Sequence, residues 1–160
     1  MNQIETIILW GGLLFLLLLP LVLIDLKTWI LPNRLNLLLA LGGVIQSLIT
    51  HNPNLMDSCL GAVLSGSLFF LVAQGYKRLR THDGLGMGDM KLAAAGSLWI
   101  GWSYVGVMVL LATSSALVFV TARAIRSRHF DLEQPLPFGP FLALGILGAW
   151  LLGHSFSLSG

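Results

Sequence analysis

The sequence predicts an all-α polytopic membrane bundle of about six transmembrane helices, built as a single domain over residues 1–160. Three observations lead there. Apolar residues make up 56% of the chain and charged residues only 10%, against about 25% charged in a soluble domain. The mean hydropathy is +0.84, and the apolar residues fall in blocks too continuous for a soluble core. All nine basic side chains sit in three of the connections between blocks, which is how cytoplasmic loops are marked.

The blocks run over Thr6–Ile24, Leu35–Thr50, Leu55–Tyr76, Met90–Gly101, Trp102–Thr121 and Phe138–Leu152. The first is not preceded by Lys or Arg and is not followed by a small-residue cleavage site, so it reads as a retained span. Pro20 inside it is expected to kink the helix. The basic connections are Asp25–Arg34, Lys77–Lys91 and Ala122–Pro137. Placing all three in the cytoplasm puts both termini outside.

Met90–Gly101 is short for a span of about 20 residues. Lys91 and Arg123 must nevertheless share a side, and Trp99, Trp102 and Tyr104 read as an aromatic belt at the far turn. A short or partly re-entrant helix satisfies both. Small residues four apart, such as Gly61/Ser65, Ala62/Gly66, Ala93/Ser97 and Gly145/Ala149, are expected where helices approach closely. Cys59, the only cysteine, excludes an internal disulfide and reads as a small buried residue.

Two acidic residues stand out. Asp25 directly follows an apolar run, and carboxylates at membrane depth are rare and usually functional. Asp89 closes a glycine-rich stretch holding Gly86 and Gly88 and occupies an N-cap-like position on a helix starting near Met90. Each alone also fits a plain structural role, an interfacial helix end or a capped helix. The third feature is Pro135, Pro137, Phe138, Gly139 and Pro140, a non-helical lead into the last span. Pro32-Asn33, after Asp25, is an ordinary turn signal.

The inferred topology places Asp25, Asp89 and Phe138-Gly139-Pro140 together at the cytoplasmic membrane boundary. Two helices can then bring two carboxylates to one place, the minimum apparatus for aspartyl proteolysis. Like charges a few ångströms apart cannot both ionise cheaply, so such a pair shares one proton. One member then activates water and the other polarises a carbonyl.

At these residues the sequence resembles the type IV prepilin peptidases, within the intramembrane aspartyl proteases that carry a G-x-G-D motif. The likeness lies in Ile24-Asp25 through Pro32-Asn33, in Gly84-Leu85-Gly86-Met87-Gly88-Asp89-Met90-Lys91-Leu92, and in Pro137-Phe138-Gly139-Pro140-Phe141. It implies a bacterial inner-membrane peptidase that removes the basic leader from type IV prepilins or type II secretion pseudopilins at the cytoplasmic face. Asp25 and Asp89 match the two family aspartates. Gly86, Gly88, Lys91, Pro137, Phe138, Gly139 and Pro140 would form the active-site loops, without metal or cofactor. Asp83, Asp131 and Glu133, in the cytoplasmic connections, would face the basic leader. Most members carry a further N-terminal portion, often with paired cysteines, and many N-methylate the product. A short, peptidase-only form without methyl transfer is therefore expected.

Other classes read less well. His82-Asp83 fits a solvated loop pair, and His51, His129 and His154 fit interfacial positions. No Ser/His/Asp set, H-E-x-x-H motif or phosphate loop is present. The basic clusters lack interleaved aromatics and follow topology, so nucleic acid is not an expected partner. The rivals are a proton-coupled transporter using Asp25 and Asp89 as relays, and a non-catalytic secretion assembly factor. A transporter needs further polar groups along a path, and the last span has no ionisable group in its interior.

Overall fold

The computed structural model describes residues 3–79, 86–127 and 137–158. They form six α-helices and a short 3-10 turn. The helices are α1 (Gln3–Thr28), α2 (Asn33–Thr50), α3 (Leu55–Leu79), α4 (Met87–Ile100), α5 (Val105–Ser127) and α6 (Gly139–Leu158), with the 3-10 turn at Trp102–Tyr104. No strand occurs among the described residues. The chain is an all-α membrane bundle.

Among the described residues, three helical stretches are long and apolar enough to cross a bilayer: Ile4–Thr28, Leu55–Arg78 and Trp102–Arg126. Their outward faces carry Leu16, Val63 and Leu117, all about two-thirds exposed, as expected where lipid replaces water. Gly139–Ser155 is a shorter apolar helix. α4, with 14 residues, is about 21 Å long at 1.5 Å per residue, against a hydrocarbon core of about 30 Å.

The short helix is the centre of the bundle. α4 packs against α2, α3 and α6, while α1 packs on α6 and α2, and α5 on α6. Leu92, Ala93, Ala95, Gly96, Ser97, Trp99 and Ile100 of α4 are all buried. A helix surrounded by helices is not itself required to match the bilayer. At its end Gly101 adopts φ 72°, a conformation that favours glycine, and turns the chain into the 3-10 segment.

The small residues lie at close helix contacts, as expected. A Cβ at Gly61 would stand 2.9 Å from the backbone of Gly101 and Trp102. A Cβ at Gly145 would strike the Met108 carbonyl oxygen. Ser65 Oγ donates to the Ala93 carbonyl at 3.2 Å across the α3–α4 contact.

Several local expectations are corrected. α1 does not stop at Ile24 but runs on to Thr28, through Pro20. α4 begins at Met87, and its N-cap is Gly86, so Asp89 lies inside the first turn rather than at the cap. Trp99 is fully buried and belongs to the core rather than to an interfacial belt. Its indole N–H donates to the Leu39 carbonyl at 2.8 Å, a partner that satisfies the ring's one polar group away from water. Trp102 is half exposed. Cys59 is exposed on α3, because its position falls on the outer face of that helix. The His154 ring stacks on Trp150 with centroids 4.0 Å apart.

Candidate active site

Asp25 reaches the interior through helical spacing. Leu14, Leu18, Leu21 and Asp25 recur at intervals of three and four, and all are buried. Continuation of α1 to Thr28 carries this stripe past the end of the apolar run, so a carboxylate takes the next core position. Asp25 is 5% exposed. The helix then closes with the Trp29 amide donating to the Asp25 carbonyl at 2.9 Å.

Asp89 is set by the start of α4. Gly86 is extended at the N-cap, and the Asp89 amide donates to the Gly86 carbonyl at 3.1 Å. The Asp89 carboxylate in turn accepts the Gly86 amide. The third helical residue thus reaches back to the N-cap amide as in one half of a capping box, while the return bond goes to the Gly86 backbone carbonyl because glycine has no side chain to offer. Asp89 also heads the buried row Asp89, Leu92, Ala93 and Gly96, which turns it inward, where it is 9% exposed.

The two carboxylates come near enough to act on each other as charges. Each also touches a glycine amide. Gly139, the first residue of α6, donates its N–H to Asp25 Oδ2 at 3.1 Å, at the positive end of a helix. A Cβ on Gly139 would lie 2.5 Å from that oxygen, so only glycine leaves the carboxylate room. A Cβ on Gly88 would lie 2.9 Å from the Leu31 side chain, which locks the α1–α2 connection against the first turn of α4. Lys91 Nζ donates to Asn33 Oδ1 at 2.8 Å, a second tie between the same elements.

Phe138 packs against Phe69 of α3, ring centroids 6.4 Å apart, and holds the lead into α6 where Gly139 meets Asp25. Pro137 and Pro140 are half-buried on either side. The arrangement thus brings Asp25, Gly86, Gly88, Asp89, Lys91, Phe138 and Gly139 to one end of the bundle. It can hold two carboxylates sharing a proton beside donors from two helix starts. Asp83, Asp131, Glu133 and Pro135 lie outside the described residues.

Three residues were not singled out from sequence as part of this site. Leu31 and Asn33 are contacts of the α4 start, and Asn36 is a buried polar side chain one turn further along α2. Asn36 carried a usable signal: it is a lone amide between leucines on the face that also holds Leu39 and Gly43.

Comparison with known proteins gives a consistent answer. The sequence profile of the type IV leader peptidase family matches residues 12–121. A prepilin leader peptidase/N-methyltransferase of Pectobacterium carotovorum subsp. carotovorum is 39% identical over 138 residues, 86% of this chain and 49% of that protein. The leader peptidase HopD of Escherichia coli is 35% identical over 127 residues, 79% of this chain and 82% of HopD. A prepilin leader peptidase/N-methyltransferase of Aeromonas hydrophila is 35% identical over 150 residues, 91% of this chain and 51% of that protein. The chain thus spans about half the length of the Pectobacterium and Aeromonas relatives. No solved structure matches.

Proposed function

Because the chain belongs to the type IV leader peptidase family, we propose that it is a membrane aspartyl endopeptidase with Asp25 and Asp89 as its catalytic pair. Its substrates are prepilins or type II pseudopilins, from which it removes the basic leader. The observation that supports this reading most is the placing of two buried carboxylates, one from α1 and one from α4, within electrostatic reach of each other at one end of the bundle.

The chemistry follows from the pair. The ionised carboxylate takes a proton from a water molecule as its oxygen attacks the scissile carbonyl carbon, and the protonated one donates a hydrogen bond to the carbonyl oxygen. Collapse of the tetrahedral adduct breaks the C–N bond, and a proton from the pair leaves with the new amine. Gly139 and Gly86 hold the two carboxylates through backbone amides, which fixes their aim without a bulky side chain between them. Titration belongs to the pair rather than to either residue.

The bundle works as one unit in the inner membrane, both termini outside and the basic connections in the cytoplasm. Asp83, Asp131 and Glu133 then lie on the side from which a basic leader arrives, and opposite charge speeds encounter in a salt-dependent way.

The test is cleavage by the purified protein of a prepilin carrying its leader, followed by mass analysis of the product N-terminus. Release of the leader is expected from the wild type, and from an Asp57→Asn control whose site lies in the first turn of α3. An intact substrate would refute the reading. Reporter fusions after Asn54 and at the C-terminus should report the outside, and those after Arg80 and Arg128 the cytoplasm.

A further inference from the structure

α2 buries a single stripe: Asn36, Leu39, Gly42, Gly43, Gln46 and Ser47. It contains two amide side chains in opposite conditions. Gln46 uses both ends of its amide, accepting the Trp150 indole N–H at 3.1 Å and donating to the Asn52 and Trp99 carbonyls at 3.3 and 3.4 Å. Asn36 is 5% exposed, and neither its Nδ2 nor its Oδ1 has a partner. A buried amide left open at both ends is costly enough to require a reason. The other buried side-chain atoms without partners, on Trp10, Ser47 and Ser58, are one atom per residue. Trp10 packs on Trp99, Ser47 adjoins Gln46, and Ser58 is in the first turn of α3, all toward the end of the bundle remote from the carboxylates.

The contacts around α2 fix where Asn36 lies. Leu31 against Gly88 and Asn33 against Lys91 pin the start of α2 to the first turn of α4, on either side of Asp89. Asn36 is one turn further in, about 5 Å along the axis from Asn33. On the α1 side, a Cβ at Gly42 would lie 3.3 Å from Leu17. Asn36 is about 9 Å along α2 from Gly42, and Asp25 about 12 Å along α1 from Leu17, both toward the short connection that joins the two helices. Asn36 and Asp25 therefore lie at nearly the same depth, with Asp89 on the neighbouring helix.

We propose that Asn36 binds the substrate main chain beside the scissile bond, donating from Nδ2 to a peptide carbonyl and accepting a peptide N–H at Oδ1. A carboxamide offers a donor and an acceptor side by side, the complement of a peptide group. A peptide drawn into an apolar bundle needs such partners, because its main-chain groups lose water there. The inference rests on the peptidase reading of the same site.

The experiment uses the full chain in detergent with a synthetic peptide carrying the basic leader of a prepilin and the first apolar residues that follow it. Asn36→Leu replaces the amide by an apolar group of similar size, and its thermal midpoint should equal or exceed that of the wild type. Its kcat/KM should fall by about 10- to 100-fold, mostly through KM. Asn36→Ser, which keeps a donor and an acceptor, should recover part of the loss. In the inactive Asp89→Asn background, adding Asn36→Leu should weaken binding of a fluorescent form of the peptide by a similar factor. Unchanged kinetic constants for Asn36→Leu would overturn the inference and leave the reading of Asp25 and Asp89 intact. A fall in midpoint that accounts for the lost activity, with Asn36→Ser equally unstable, would make the amide structural and overturn it too. A folded wild type that leaves the peptide uncut would remove the peptidase reading and this inference together.

Discussion

The two buried amide side chains of α2 stand in opposite conditions at the two ends of the bundle. At the end formed by Gln46, Trp99, Trp150 and Asn52, one glutamine side chain joins α2 to α4, α6 and the α2–α3 connection, with all its bonds made. At the other end two buried carboxylates lie within electrostatic reach of each other, each with a glycine amide for a partner, and an asparagine amide of α2 stands open. The first arrangement is what a stable helical core favours, because polar atoms are matched within the protein. The second leaves polar capacity unmatched within the chain, where a reactant can use it. Stability and activity should therefore separate between the two ends under mutation.

The largest effect is expected from Asp25→Asn and Asp89→Asn. Asparagine keeps shape and can hydrogen-bond, but holds neither the negative charge nor a shared proton. Each single change should abolish cleavage, and the double change should be no worse, since residues acting as a unit are non-additive. Replacing a buried carboxyl by a neutral amide removes the cost of holding a charge out of water there, so the thermal midpoint should be unchanged or raised. Substantial cleavage by either variant at normal protein level would break the contrast at its active end.

Next comes Gly139→Ala. The new Cβ would displace the Asp25 carboxylate from its amide donor, so kcat should drop more than about 10-fold, the loss expected when a reacting group is misplaced by about an ångström. Gly75→Ala, where a Cβ meets nothing within 4 Å, should cost no activity. Gln46→Leu should do the reverse. It leaves the Trp150 indole N–H without its partner and should destabilise by about 1–3 kcal/mol, seen as a lower midpoint in detergent. Per folded molecule its cleavage rate should stay close to that of the wild type.

The sequence made part of this contrast readable and hid the rest for identifiable reasons. Apolar blocks and basic connections located every helix, because both report on the bilayer rather than on particular neighbours. Asp25 and Asp89 could be placed at one end on the same grounds. The register of each within its helix could not. α1 runs past Ile24 because Asp25 continues a buried leucine stripe, a fact of packing that a charged residue after an apolar run conceals. α4 starts early because Gly88 lies under Leu31, a contact across 57 positions that favours glycine in a first turn. The Gln46 clamp joins residues 53 and 104 positions apart, and local pattern holds no trace of such a pairing. Trp99 and Cys59 were misread because composition cannot say which side of a helix faces lipid.

The smallest effect concerns two backbone positions that are alike at the two ends. Trp29 follows α1 with φ 59°, and His51 follows α2 with φ 53°, each in the left-handed region that glycine usually fills after a helix. Each donates its amide back into the helix it ends, Trp29 to Asp25 and His51 to Ser47. Glycine would relieve the strain of a side chain in that region, a gain of about 1 kcal/mol offset in part by its freer unfolded chain. His51→Gly should thus raise the midpoint slightly and leave cleavage unaltered. Trp29→Gly should raise the midpoint by a similar or smaller amount, since an exposed indole near the membrane surface is lost with it. Its cleavage rate should nevertheless fall a few-fold. The connection from Trp29 to Pro32 carries Leu31 onto Gly88, and a softer backbone there loosens the join between the helices that carry Asp25 and Asp89. Equal kinetic effects of the two glycines would mean that the strain at Trp29 has no bearing on the site, and that the two ends differ only in their side chains.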